Sequence, residues 1–120
     1  MKKTIAIAVL LATLGLSNLL NAQEKKLEKI QIKSSPQCSM CKESIEKALA
    51  FEKGVKTSRV DVTTKIITVE YQADKTNPDK IRKAISKTGY DADTLKADAK
   101  AYKRLPACCK KPDDPAFKQH

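Results

Sequence analysis

The chain has 120 residues, with 24 Lys plus Arg against 14 Asp plus Glu, a formal charge of +10. That length fits one domain and excludes an enzyme built from separate cofactor and substrate domains. With no Trp and only 4 % aromatic residues, the chain lacks the stacking residues that a basic nucleic-acid surface uses, so the charge does not point to nucleic acid.

Residues 1–22 read as a secretory leader. Lys2 and Lys3 form a basic start, Thr4 to Leu16 is almost wholly apolar, and a short polar stretch ends at Ala22. The apolar run is too short to span a bilayer comfortably. Cleavage after Ala22 predicts an exported chain, in the periplasm or secreted, with no stable membrane insertion afterwards. The mature chain would keep 98 residues, a charge of +8 and all four cysteines.

Leu27 to Lys33 alternates, with Ile30 and Ile32 on one face, and predicts a strand. Ser34, Ser35 and Pro36 break it and lead through Cys38-Ser39-Met40-Cys41 into a helix. Cys41, Ile45, Ala48 and Leu49 share one helical face out to about Glu52, with Ser39 as the expected N-cap and Gly54 as the stop. Ala50 and Phe51 are expected to pack near that end. Thr57–Thr63 and Lys65–Gln72 alternate and predict an antiparallel hairpin. Asn77-Pro78 opens a second helix through Ile81, Ala84, Ile85 and Thr88, ended by Gly89. Tyr90 to Leu95 is long enough for a short last strand. The order strand, helix, strand, strand, helix, strand is that of an α+β, ferredoxin-like βαββαβ sandwich over residues 27–95. Residues 96–120 form a C-terminal extension, with a short helix from Lys96 to Leu105 stopped by Pro106 and a Cys108-Cys109 pair beyond it.

Cys38 and Cys41 carry the sharpest chemical signal. Unpaired N–H groups and the dipole at a helix start favour negative charge, so thiols placed there ionise more readily than the ordinary pKa of ~8.5. Two thiolates a few ångströms apart suit soft, low-coordinate ions such as Cu(I) or Hg(II). A closed zinc site would need two further ligands.

At these residues the chain resembles the heavy-metal-associated domain family. The features are Cys-x-x-Cys after a first strand, an amphipathic helix, Gly54-Val55, a Val-containing hairpin and Thr88-Gly89-Tyr90-Asp91-Ala92. The family includes small copper chaperones, metal-binding modules of copper-exporting ATPases and periplasmic mercury-binding proteins. The resemblance implies a ferredoxin-like fold that binds Cu(I), or Hg(II) in some members, through Cys38 and Cys41, and places Tyr90 beneath the metal loop. Where the family carries Met two residues before the first Cys, this chain has Pro36.

Cys108 and Cys109 leave three readings open. The tail folds back and completes a three- or four-sulfur site with Cys38 and Cys41; or the tail pair makes its own thiolate site; or one of them forms a structural disulfide. Met40 is either loop filler or a soft auxiliary ligand. His120, the one histidine, falls at the terminus. Lysines and arginines on the second helix and in the tail form either a solvated face or a docking surface for an acidic metal transporter or acceptor.

The expectation is therefore a non-enzymatic, exported protein that sequesters or hands over a soft metal ion, Cu(I) first and Hg(II) second. Its rivals are a thiol–disulfide oxidoreductase using the Cys-x-x-Cys pair and a disulfide-stapled basic interaction module.

Overall fold

The computed structural model describes residues 26–119, so the leader expected at 1–22 and His120 lie outside the described residues. The elements run β1 (Leu27–Lys33), α1 (Ser39–Ala50), β2 (Val55–Asp61), β3 (Ile66–Gln72) and α2 (Pro78–Lys87). A five-residue helix, α3 (Ala99–Lys103), and a 3-10 turn at Ala107–Cys109 follow.

The sheet has the order β1-β3-β2, with β3 paired antiparallel to both neighbours. The period-2 pattern decides which face is covered. Ile32, Val60, Ile67 and Val69 are buried, and the helices lay Ile45, Leu49, Ile81 and Ile85 over them. Each buried aliphatic side chain contributes about 1.5–3 kcal/mol relative to exposure. The result is a two-layer α+β fold of the ferredoxin-like kind. No helix among the described residues is long and apolar enough to cross a membrane.

Local chemistry sets the junctions. Asn77 Oδ1 accepts from Lys80 N at 3.0 Å and Pro78 occupies the first turn, as expected for the start of α2. In the hairpin, Asp61 Oδ1 accepts from the N–H groups of Thr63 and Thr64, and Lys65 takes φ 64° to re-enter β3. β2 starts earlier than the alternation indicates, at Val55, because a bulge between Val55 and Thr57 shifts the pairing there. Gly54 has φ +85°, and a Cβ on it would stand 2.8 Å from Thr76 Cγ2.

Further expectations are corrected at the first helix and at the last strand. Helix α1 begins at Ser39 rather than Cys41, and its N-cap is Cys38 rather than Ser39. Cys38 is extended (φ −154°), and its carbonyl accepts the first helical bond from Lys42 N. Phe51 does not pack at the helix end but is 83 % exposed. The strand over Tyr90–Leu95 does not form and is reduced to isolated bridges, Ser34 with Ala92 and Ala92 with Leu95. Asp93 accounts for this. Its φ of 55° turns the chain, its N–H donates to Lys33 O, and its Oδ1 accepts from Lys33 N. A carboxylate thus replaces the next rung of the ladder, while Oδ2 pairs with Arg82 at 2.8 Å.

The C-terminal extension folds back onto this body. Asp98 caps α3 through Ala101 N, and α3 is shorter than the expected Lys96–Leu105 helix. Gly89, at φ +104°, lies against α3. A Cβ there would stand 3.2 Å from the Ala101 carbonyl and 3.1 Å from Leu105 Cδ2. Cys108 and Cys109 join the same buried cluster as the core aliphatics.

Candidate metal centre

The loop between β1 and α1 is held from three sides. Ser34 N donates to Lys65 O, Ser35 Oγ accepts from Asp91 N, and Lys65 Nζ donates to the Pro36 carbonyl. Pro36 is fully buried, so a rigid ring fills the anchoring position before the motif. Beyond it, Cys38 is partly exposed and Cys41 is completely buried in the first turn of α1, with their Sγ atoms 3.6 Å apart.

The electrostatics favour one of these thiols in particular. Burial acts to raise the Cys38 pKa, but the backbone N–H groups of Cys41 and Met40 and the Cys41 thiol outweigh it, and the net shift is downward. Burial pushes the thiols of Cys108 and Cys109 up. Cys38 is therefore the readiest nucleophile of the three.

The 3-10 turn delivers the tail sulfurs to the same place. Cys38 Sγ lies 3.9 Å from both Cys108 Sγ and Cys109 Sγ, which are 3.8 Å from each other. All four cysteines are free thiols. Of the three arrangements open from spacing, this is the one in which the tail folds back to Cys38. Met40 is 43 % exposed, with its Sδ 3.7 Å from Cys108 Sγ. It sits at the rim, neither filling the core nor remote from the sulfurs. Tyr90 is buried beneath them, its hydroxyl without a hydrogen-bond partner among the described residues. Burial raises its pKa, and the neighbouring thiols of Cys41 and Cys109 add to the shift.

Sequence reasoning missed the residues that hold the tail. The Tyr102 hydroxyl donates to Asp114 Oδ2 at 2.7 Å and accepts from Lys111 N at 3.0 Å. Lys110 Nζ lies 4.7 Å from the Tyr102 ring centroid. Lys111 Nζ meets Asp91 Oδ2 at 2.7 Å. A lone Tyr in a lysine-rich tail carries no local signal of such a role.

Residues 37–91 match the family model of the heavy-metal-associated domain. This segment is a heavy-metal-associated domain. The domain and the thiol cluster together support metal binding by this chain. A rat copper-transporting ATPase is 40 % identical over 63 residues, and a copper-exporting P-type ATPase of Staphylococcus aureus is 40 % identical over 55 residues. The aligned segments cover 52 % and 46 % of this chain but only 4 % and 7 % of those relatives, so the likeness concerns one module of each. Among solved structures, the CopZ metallochaperone superposes with a TM-score of 0.52 at 26 % identity, covering 54 % of this chain and 98 % of CopZ. Oxidized MerP from Ralstonia metallidurans CH34 gives a TM-score of 0.54 at 25 % identity, covering 57 % of this chain and 96 % of MerP. Both likenesses leave out much of the chain, whereas the heavy-metal-associated domain described here is in sulfur contact with Cys108 and Cys109 of the tail.

Proposed function

We propose that the chain is an exported carrier of a soft heavy-metal ion, Cu(I) foremost and Hg(II) second, bound through Cys38 and Cys41 and passed on by thiolate exchange. The observation that carries this reading is the 3.6 Å pair of Cys38 and Cys41 at the start of α1, with Cys38 biased toward thiolate. Soft thiolates select soft ions, and the similar copper-transporting and copper-exporting ATPases are named for copper. Export rests on the leader-like layout of residues 1–22.

The two cysteines differ in access, and this orders the transfer. A partner's thiolate attacks the ion from the open side, where Cys38 is partly exposed. A three-sulfur intermediate forms and Cys38 leaves first. Cys41, fully buried, leaves last. The ion changes ligands and not oxidation state, so no catalytic acid or base is needed. The net positive charge favours an acceptor or transporter with an acidic docking face.

The test is metal analysis of anaerobically reduced protein, wild type against Cys38→Ser. About one Cu(I) or Hg(II) per chain, lost in the variant, supports the reading. Protein that binds neither ion rejects it.

A further inference from the structure

The domain's own Cys-x-x-Cys pair is not the set of sulfurs that closes on itself. The Sγ atoms of Cys38, Cys108 and Cys109 all lie within 4.8 Å of one another. The three edges are 3.9, 3.9 and 3.8 Å, a nearly equilateral triangle. The centre of such a triangle is an edge divided by √3 from each corner, about 2.2 Å, close to the ~2.3 Å of a metal–thiolate bond. Cys41 lies 3.6 Å from Cys38 but outside this set of three mutually close sulfurs. The 3.8 Å between Cys108 and Cys109 is far from the ~2.05 Å of a disulfide.

The triangle is held by contacts that involve no sulfur. The Tyr102 hydroxyl ties Asp114 to the Lys111 backbone. Lys110 Nζ donates to the carbonyls of Tyr102 and Lys103. The Lys111–Asp91 pair fastens the tail to the segment that also anchors the metal loop through Ser35. Two segments 70 residues apart thus present three thiols at bonding distance from one point. Preorganisation of this kind removes the ordering cost from the binding step.

We propose that Cys38, Cys108 and Cys109 form a trigonal thiolate centre for a soft ion, making the C-terminal segment a strap that closes the site. The proposal rests on the soft-metal reading above and specifies its coordination. Each thiol gives up one proton to solvent as its sulfur bonds the ion, and Cu(I) enters and stays as Cu(I). Cys38 belongs to both the closed trigonal set and the open pair with Cys41. The ion therefore moves between sequestered and transferable positions by exchanging the other ligands around Cys38.

X-ray absorption of the full chain loaded anaerobically with Cu(I) tests this. Three sulfur neighbours are expected in wild type and two in the Cys108→Ser/Cys109→Ser variant. In competition with a chromophoric Cu(I) chelator, that variant is expected to bind roughly a hundredfold more weakly, the advantage of a tethered ligand. Two sulfurs in wild type, or an unchanged affinity in the double variant, overturns the strap while leaving Cu(I) binding at Cys38 and Cys41 intact. A wild-type chain that binds no Cu(I) overturns both readings. The wild-type coordination number keeps the test independent of how well the variant folds.

Discussion

Cys38 and Cys109 bring their sulfurs to 3.9 Å across 71 positions of chain, and Cys38 also lies 3.6 Å from Cys41. The four thiols are therefore not equivalent. Cys38→Ser removes the sulfur common to both sets, whereas Cys41→Ser leaves the three-sulfur triangle whole. In Cu(I) competition titrations, Cys38→Ser is expected to lose affinity by more than Cys41→Ser does. Equal losses would place the ion between Cys38 and Cys41 alone.

Tyr102 supplies a separate handle on the tail. Tyr102→Phe removes the bonds to Asp114 and to Lys111 N while keeping the ring under Lys110. A net loss of about 1 kcal/mol per hydrogen bond is expected, confined to the tail. Hydrogen exchange should quicken in residues 106–118 and stay unchanged in β3. Uniform quickening would mean that the tail and the core open together.

Gly54 and Gly89 both sit at positive φ, but they guard different things. Gly54→Ala brings a Cβ to 2.8 Å from Thr76 Cγ2 at φ +85°, next to the start of β2. A loss of about 1–3 kcal/mol of global stability is expected, seen as a lower Tm. Gly89→Ala pushes on the Ala101 carbonyl and Leu105 of the extension. Its signature is faster trypsin cleavage at Lys100, Lys103 and Arg104, with a smaller effect on Tm.

Acid should undock the tail. Burial acts to raise the Asp91 pKa, but the Lys111 ammonium and the Ala97 N–H outweigh it and hold it below the ordinary carboxylate value. Asp114 is held low too, by the N–H of Ala116 and then by the Tyr102 hydroxyl. A carboxylate depressed in the folded state stabilises fully above its unfolded pKa of about 3.9, and that stabilisation fades as pH falls through the folded value. Tail protection is expected to be flat from neutral pH down to about 5 and to fall away below about 4. Hydrogen exchange of residues 106–118 across that range, normalised to the intrinsic exchange rate at each pH, measures it, and Asp91→Asn should weaken protection at neutral pH and flatten the acid transition.

The sequence made much of the domain legible because its signals are local. The alternation in Leu27–Lys33 and around Ile67, Val69 and Tyr71 marks β1 and β3 correctly, and Asn77-Pro78 marks the start of α2. The Cys-x-x-Cys pair could be placed at a helix start for the same reason. The apolar spacing of Tyr90–Leu95 suggests a strand because it says nothing of Asp93, whose carboxylate and left-handed turn end the pairing with β1 after one bridge. Phe51 was misplaced because a residue just past a helix end has no fixed face. The sulfur triangle is one of three arrangements that the cysteine spacing alone allows. Its edges join residues far apart in the chain, and its supports, Tyr102 with Asp114 and Lys111 with Asp91, have no period to read.

Because the strand after α2 shrinks to a bridge, β1 and β2 are both edge strands. Such edges invite another chain to continue the ladder, the first step toward aggregation. Here Lys29 and Lys33 stand exposed on one edge strand, and Lys56 and Arg59 on the other. These exposed cations disfavour continuation of the ladder by a second copy, and Asp93 already occupies the hydrogen-bonding groups of Lys33. The sheet that carries the metal loop thus ends in charged, partly occupied edges that discourage self-association.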